Sequence, residues 1–159
     1  MKTKTFFFIC LLLGIGLTRL SAQPPDPLPP GVTKTYTWTQ EFPDYWAVCY
    51  CNGELVDNLT GSGRCGFVVH ITDGKLDWYS YHFKGEATGS LNPNEIFEIR
   101  ENAQPLYFDE NGNPIYQTIN LNYRGNQGTH YIGSLSFDFG TGEWIINKAV
   151  CIENGPKRK

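Results

Sequence analysis

Basic charge is what this 159-residue chain has least of. Thirteen Lys and Arg stand against sixteen Asp and Glu. Lys2, Lys4 and Arg19 fall within the first 22 residues, and Lys157, Arg158 and Lys159 form the extreme C-terminus. Beyond residue 22, ten basic residues face sixteen acidic ones, a formal net charge of about −6. An acidic body without a basic face excludes nucleic acid as a partner, because binding phosphates requires clustered Lys and Arg. The basic residues of 154–159 read as a solvated tail.

Long apolar runs are missing after residue 22, so no integral membrane segment is expected there. Helical periodicity is missing as well. So are the signatures of common chemistries. Gly61-Ser62-Gly63 lacks the G-x-S-x-G frame and the strand–turn–helix setting of a nucleophile elbow, and it is too short and lysine-free for a phosphate cradle. Asp109 to Asn113 offers oxygen ligands. Its glycine is misplaced for a calcium loop and no closing glutamate follows, so a plain turn accounts for it better. Glu86, Glu95, Glu98 and Glu101 cluster in sequence, with nothing to separate them from a solvated edge. No cofactor or metal is implied. C-x-C followed by two distant cysteines does not match zinc-ribbon or zinc-finger spacing.

What the chain does have begins with an export signal. Lys2 and Lys4 precede an apolar run from Phe6 to Leu17, and Leu20-Ser21-Ala22 supplies a small residue for cleavage. Residues 1–22 are read as a cleaved signal peptide that carries Cys10 away with it, which places the protein in a secreted or periplasmic location. Residues 23–31, QPPDPLPPG, are a proline-rich linker that can neither pair in a sheet nor continue a helix. A single domain over 32–153 follows. Asn58-Leu59-Thr60 is an N-glycosylation sequon, relevant only in a host that glycosylates secreted proteins.

Four cysteines remain after cleavage, and an even number in an exported chain points to two disulfides. Cys49–Cys51 would close a small strained ring. Spacing favours Cys51–Cys65, closing a loop between successive strands, with Cys49–Cys151 tying an early strand to the last. The swapped pairing stands beside it.

From Val32 onward, period-2 alternation dominates. Thr33, Thr35, Thr37 and Thr39 alternate with Tyr36 and Trp38, and Pro43-Asp44 ends that strand. Tyr45 to Cys51 is a second strand. Asn52 to Gly66, with four glycines, reads as a long loop. Phe67 to Thr72 and Lys75 to Lys84 flank Asp73-Gly74, a type I′ hairpin signal. Short strands at Ile96–Glu101 and Leu106–Phe108 precede alternating runs at Ile115–Tyr123, His130–Phe139 and Glu143–Ile152. The expected fold is all-β: a single antiparallel barrel or two-sheet sandwich of eight to nine strands, stapled by two disulfides.

Two sets of residues qualify as candidate sites. Symmetric counting about the Asp73-Gly74 turn places His70 opposite Asp77 and His82 opposite Cys65. His70 with Asp77 is then a candidate acid–base couple, although a cross-strand polar pair on the solvent face is the simpler account. The aromatics are the other set. Trp38, Trp78, Tyr79 and Tyr81 lie on expected strands, and the hairpin carries aromatics on both faces. If Phe83 is core, Trp78 points outward. Such residues suit either structural cover or a recognition surface. The expected function is a non-catalytic exported binding or interaction module whose partner is a glycan, a small apolar ligand or a surface protein. The alternative is a small secreted β-barrel hydrolase or isomerase using a histidine–carboxylate pair.

Overall fold

A computed structural model describes residues 30–153. The expected signal peptide, residues 23–29 of the proline-rich stretch and the tail at 154–159 lie outside the described residues. The domain is all-β. Its strands are β1 (Lys34–Cys51), β2 (Glu54–Thr72), β3 (Lys75–Gly89), β4 (Ile96–Ala103), β5 (Leu106–Tyr107), β6 (Tyr116–Gly125), β7 (His130–Asp138) and β8 (Glu143–Ile152). They form one sheet in the order β1-β2-β3-β4-β6-β7-β8, with β5 paired to β3, and every pairing is antiparallel. The described residues contain no helix.

The sheet is neither a sandwich nor a closed barrel. Its main path has seven strands, so alternating direction leaves the two edge strands, β1 and β8, running the same way. Closure would need a parallel ladder in an otherwise antiparallel sheet. No such ladder forms among the described residues. A disulfide joins the strand ends instead: Cys51 of β1 and Cys151 of β8, with Cα atoms 5.8 Å apart. The result is a curled sheet with a seam, fastened at one end.

The bonding pattern corrects the expected pair of bridges. Cys51–Cys65 and Cys49–Cys151 do not form; Cys49 and Cys65 are free and buried. Register explains why. Cys51 lies opposite Glu54 on β2, while Cys65 lies opposite Gln40. The stretch of β2 from Glu54 to Cys65 spans about 36 Å of strand, far beyond disulfide reach, and Cys151 is bonded to Cys51 rather than to Cys49.

The first two strands are longer than the sequence predicts. Pro43-Asp44 does not end β1 but forms a bulge between Phe42 and Tyr45, which bends the strand without breaking it. Asn52 to Gly66 is not a long loop. Asn52 and Gly53 take φ of 53° and 86° as a tight hairpin turn, and β2 starts at Glu54. Asp73-Gly74 makes the matching turn at the other end, with φ of 51° and 74°. The glycines that resemble loop residues sit inside β2, where strands approach closely. Gly63 lies opposite Gly85 of β3. A Cβ on Gly63 would collide with the Lys84 carbonyl and come within 2.7 Å of Gly85 Cα. Only paired glycines allow the sheet to curl this tightly there.

The concave face holds the core: Leu59, Phe83, Phe97, Ile99, Tyr123 and Tyr131, with Ala47, Cys49, Cys65 and Ala87. Leu59 and Ile99 are fully buried.

Candidate ligand-binding cavity

The curled sheet encloses a cavity of about 300 Å³ that opens at the β1–β8 seam. Leu121 and Tyr123 of β6, Tyr131, Gly133 and Leu135 of β7, and Trp144, Ile146 and Ala149 of β8 supply most of its wall; Val48, Cys49 and Tyr50 supply the β1 side. Two small residues are set against each other in this wall. Gly133 lies opposite Ala149, and the nearest atom to a Cβ on Gly133 would be Leu121 Cδ1, at 3.3 Å. Larger residues at 133 and 149 would fill the space. The volume is at the lower end of small-molecule sites.

The hydroxyls of Tyr123 and Tyr131 turn away into the protein. Tyr123 Oη donates to Glu101 Oε1 at 2.7 Å, and Tyr45 Oη donates to the same oxygen at 2.6 Å. Burial raises the pKa of Glu101, and the two tyrosine donors oppose that rise. Burial and then the Glu101 charge push both tyrosines upward too. Tyr131 stacks on Phe97 with centroids 5.5 Å apart, and its hydroxyl donates to Asp57 Oδ2 at 3.4 Å. Asp57 also accepts from Ser90 Oγ and the Leu91 amide, at 2.9 and 3.1 Å. Glu101 and Asp57 are thus satisfied within the fold, and Tyr123 and Tyr131 present mainly ring surface to the cavity. Burial, then Asp57, raises the Cys49 thiol to about 12, so it stays protonated at neutral pH. Lys148 is the single charged residue of the lining.

The sequence-derived candidates do not converge on this cavity. Trp38 stacks on Phe67 at 5.0 Å inside the curl, on the β1–β2 side. Tyr79 and Tyr81 share the inner face with buried Phe83. Tyr79 reaches Gln117 Oε1 at 3.5 Å, and Tyr81 packs near Phe67. Trp78 points to the outer face, as buried Phe83 requires, and stacks on His70 with centroids 5.6 Å apart.

The expected histidine pairs are corrected by a register shift between His70 and Ile71. That one-residue shift puts His70 opposite Trp78 rather than Asp77, and His82 opposite Gly66 rather than Cys65. His70 Nδ1 bonds Thr35 Oγ1 at 2.9 Å, while Asp77 accepts from Thr72 Oγ1 at 3.2 Å. No acid–base couple is assembled there. His130 bonds Asn122 at 2.9 Å, and partial burial followed by the Arg124 charge lowers its pKa. Among the described residues, no three His, Cys, Asp or Glu side chains are grouped to hold a metal ion. The described residues contain no helix long and apolar enough to cross a membrane.

Sequence reasoning missed the cavity, though one sign of it was present. The β8 sequence EWIINKAVCI places apolar residues on both faces, with Trp144 and Ile146 inward and Ile145 outward. A strand that is apolar on both faces is expected only where both are covered, yet this one lies at a sheet edge. Comparison with protein families, curated proteins and solved structures finds no match to this chain.

Proposed function

We propose that this is an exported, non-catalytic binding module, and that it holds a small apolar ligand in the cavity at the β1–β8 seam. One observation carries the reading. The space enclosed by β6, β7 and β8 is walled by aromatic and aliphatic side chains, and its entrance is flanked by apolar residues left in solvent. Trp144, Ile145 and Ile146 are 43%, 46% and 48% exposed. Exposed apolar surface next to a preformed concavity is the usual mark of a ligand site. Export through cleavage after Ala22 is part of the same proposal. The Cys51–Cys151 bridge suits an oxidising compartment.

The test uses N-phenyl-1-naphthylamine, a neutral apolar fluorophore, with the full mature chain. Saturable binding of one probe per chain, abolished by Ala149→Trp in a variant with unchanged circular dichroism, supports the proposal. Absence of probe binding, or undiminished binding by the filled variant, contradicts it.

A further inference from the structure

β1 is much longer than the strand it faces across the seam. From the Cys51–Cys151 tie, β8 runs back eight residues to Glu143, and β1 runs back seventeen to Lys34. The two strands point the same way, so the segment Lys34–Phe42 overhangs the start of β8 by about 30 Å. One edge of this overhang pairs with Gly63–Ile71 of β2 without a bulge. No described strand pairs with its other edge. That edge presents a row of backbone N–H and C=O groups to any strand that can join it.

Sheet edges are ordinarily blunted by charge, proline or a bulge. Between Lys34 and Glu41 this one has none of them. Thr35-Tyr36-Thr37-Trp38-Thr39-Gln40 is uncharged, rich in β-favouring residues and free of Gly and Pro, a composition suited to pairing with its own kind. The other edge strand differs. β8 carries Lys148 and a register shift between Ser134 and Leu135, and its far end is tied to β1.

We infer that the partner of the β1 edge is a second copy of this chain, with Lys34–Phe42 of the two copies paired antiparallel about a twofold axis at Thr37. The sequence is self-complementary in that register. On the outer face, where Thr35, Thr37 and Thr39 are exposed, Thr35 of each copy meets Thr39 of the other, and the two Thr37 side chains meet at the axis. On the inner face, half-buried Tyr36 meets Trp38. Thr–Thr and aromatic pairs are favourable cross-strand contacts. Lys34 meets Gln40, which brings the basic end of one strand to the acidic end of the other, and no like charges face each other. A twofold contact of this kind closes on itself, giving a dimer rather than a fibre. It uses none of the residues that line the cavity, so it stands or falls apart from the ligand-binding reading.

Sedimentation velocity of the full mature chain tests this, at concentrations up to about 300 μM, where an interface below standard size associates. The parent chain is expected to pass from monomer to dimer as concentration rises. Thr37→Lys and Thr37→Glu each set like charges against each other at the axis. Each should weaken dimerisation about tenfold with unchanged circular dichroism. An equimolar mixture of the two variants opposes unlike charges there and should restore the dimer. Ile145→Lys, on β8, should dimerise like the parent. A parent that stays monomeric, a dimer that survives both Thr37 substitutions, a mixture that fails to restore it, or a dimer lost in Ile145→Lys overturns the inference.

Discussion

β4 and β8 are both short strands with inward apolar residues, and they end up in opposite surroundings. β4 lies between β3 and β6, and its Phe97 and Ile99 are 1% and 0% exposed. β8 has only β7 beside it, and Trp144, Ile145 and Ile146 stay over 40% exposed, although β8 is the more apolar of the two sequences. Burial thus follows the number of neighbours a strand has, not its hydrophobicity. An edge strand that keeps large apolar residues in solvent runs against the usual protection of sheet edges. The structure meets that at β8 with a covalent tie to β1 and an open cavity behind it.

This contrast can be broken in several places. The largest effect is expected from Cys51→Ser. The Cys51–Cys151 bridge closes a sequence separation of 100 residues, worth about 4.7 kcal/mol in the chain-entropy view. Denaturant titration should show most of that loss. Hydrogen exchange should quicken in β8 and the end of β1, leaving β4 protected. Next, Phe97→Ala should cost about 4 kcal/mol by the same titration, because it opens a hole in a closed part of the core. Gly63→Ala follows, at about 2 kcal/mol, since its Cβ has no room against β3.

Alkaline pH offers a different handle. Burial raises the Cys49 and Cys65 thiols from 9.0 to about 12. The unfolded chain releases these protons first, so stability should decline as pH rises from about 9 to about 12. The buried tyrosines push in the same direction. Thermal melts across that range should show the decline, and Cys65→Ala should flatten it. The smallest stability effect belongs to Ile146→Ala, within about 1 kcal/mol at this half-exposed site. That change should nevertheless weaken probe binding. A loss as large as that of Phe97→Ala would erase the contrast between β4 and β8.

Much of the fold was legible because its signals are local. Alternation marked β6 and β7, and Asp73-Gly74 marked its hairpin. The misreadings arose where a residue's role depends on a distant neighbour. Gly61 and Gly63 resemble loop residues until β3 is seen pressed against them. The shift between His70 and Ile71 moves each partner along by one residue and separates His70 from Asp77, and nothing in the local sequence announces it. Cys49 and Cys51 are interchangeable on paper, yet only Cys51 is at the end of β1 that meets β8. The cavity was the least legible feature. It depends on which residues of β6, β7 and β8 face one another and on the absence of a β1–β8 ladder among the described residues, both of which are consequences of the completed sheet.

Methyl-resolved NMR during titration with an apolar ligand reads both regions in one experiment. The side-chain methyls of Leu121, Leu135 and Ile146 should shift in a saturable way, while those of Leu59 and Ile99 stay in place. Shifts confined to the packed core, or none at the seam, would contradict a ligand site between β1 and β8.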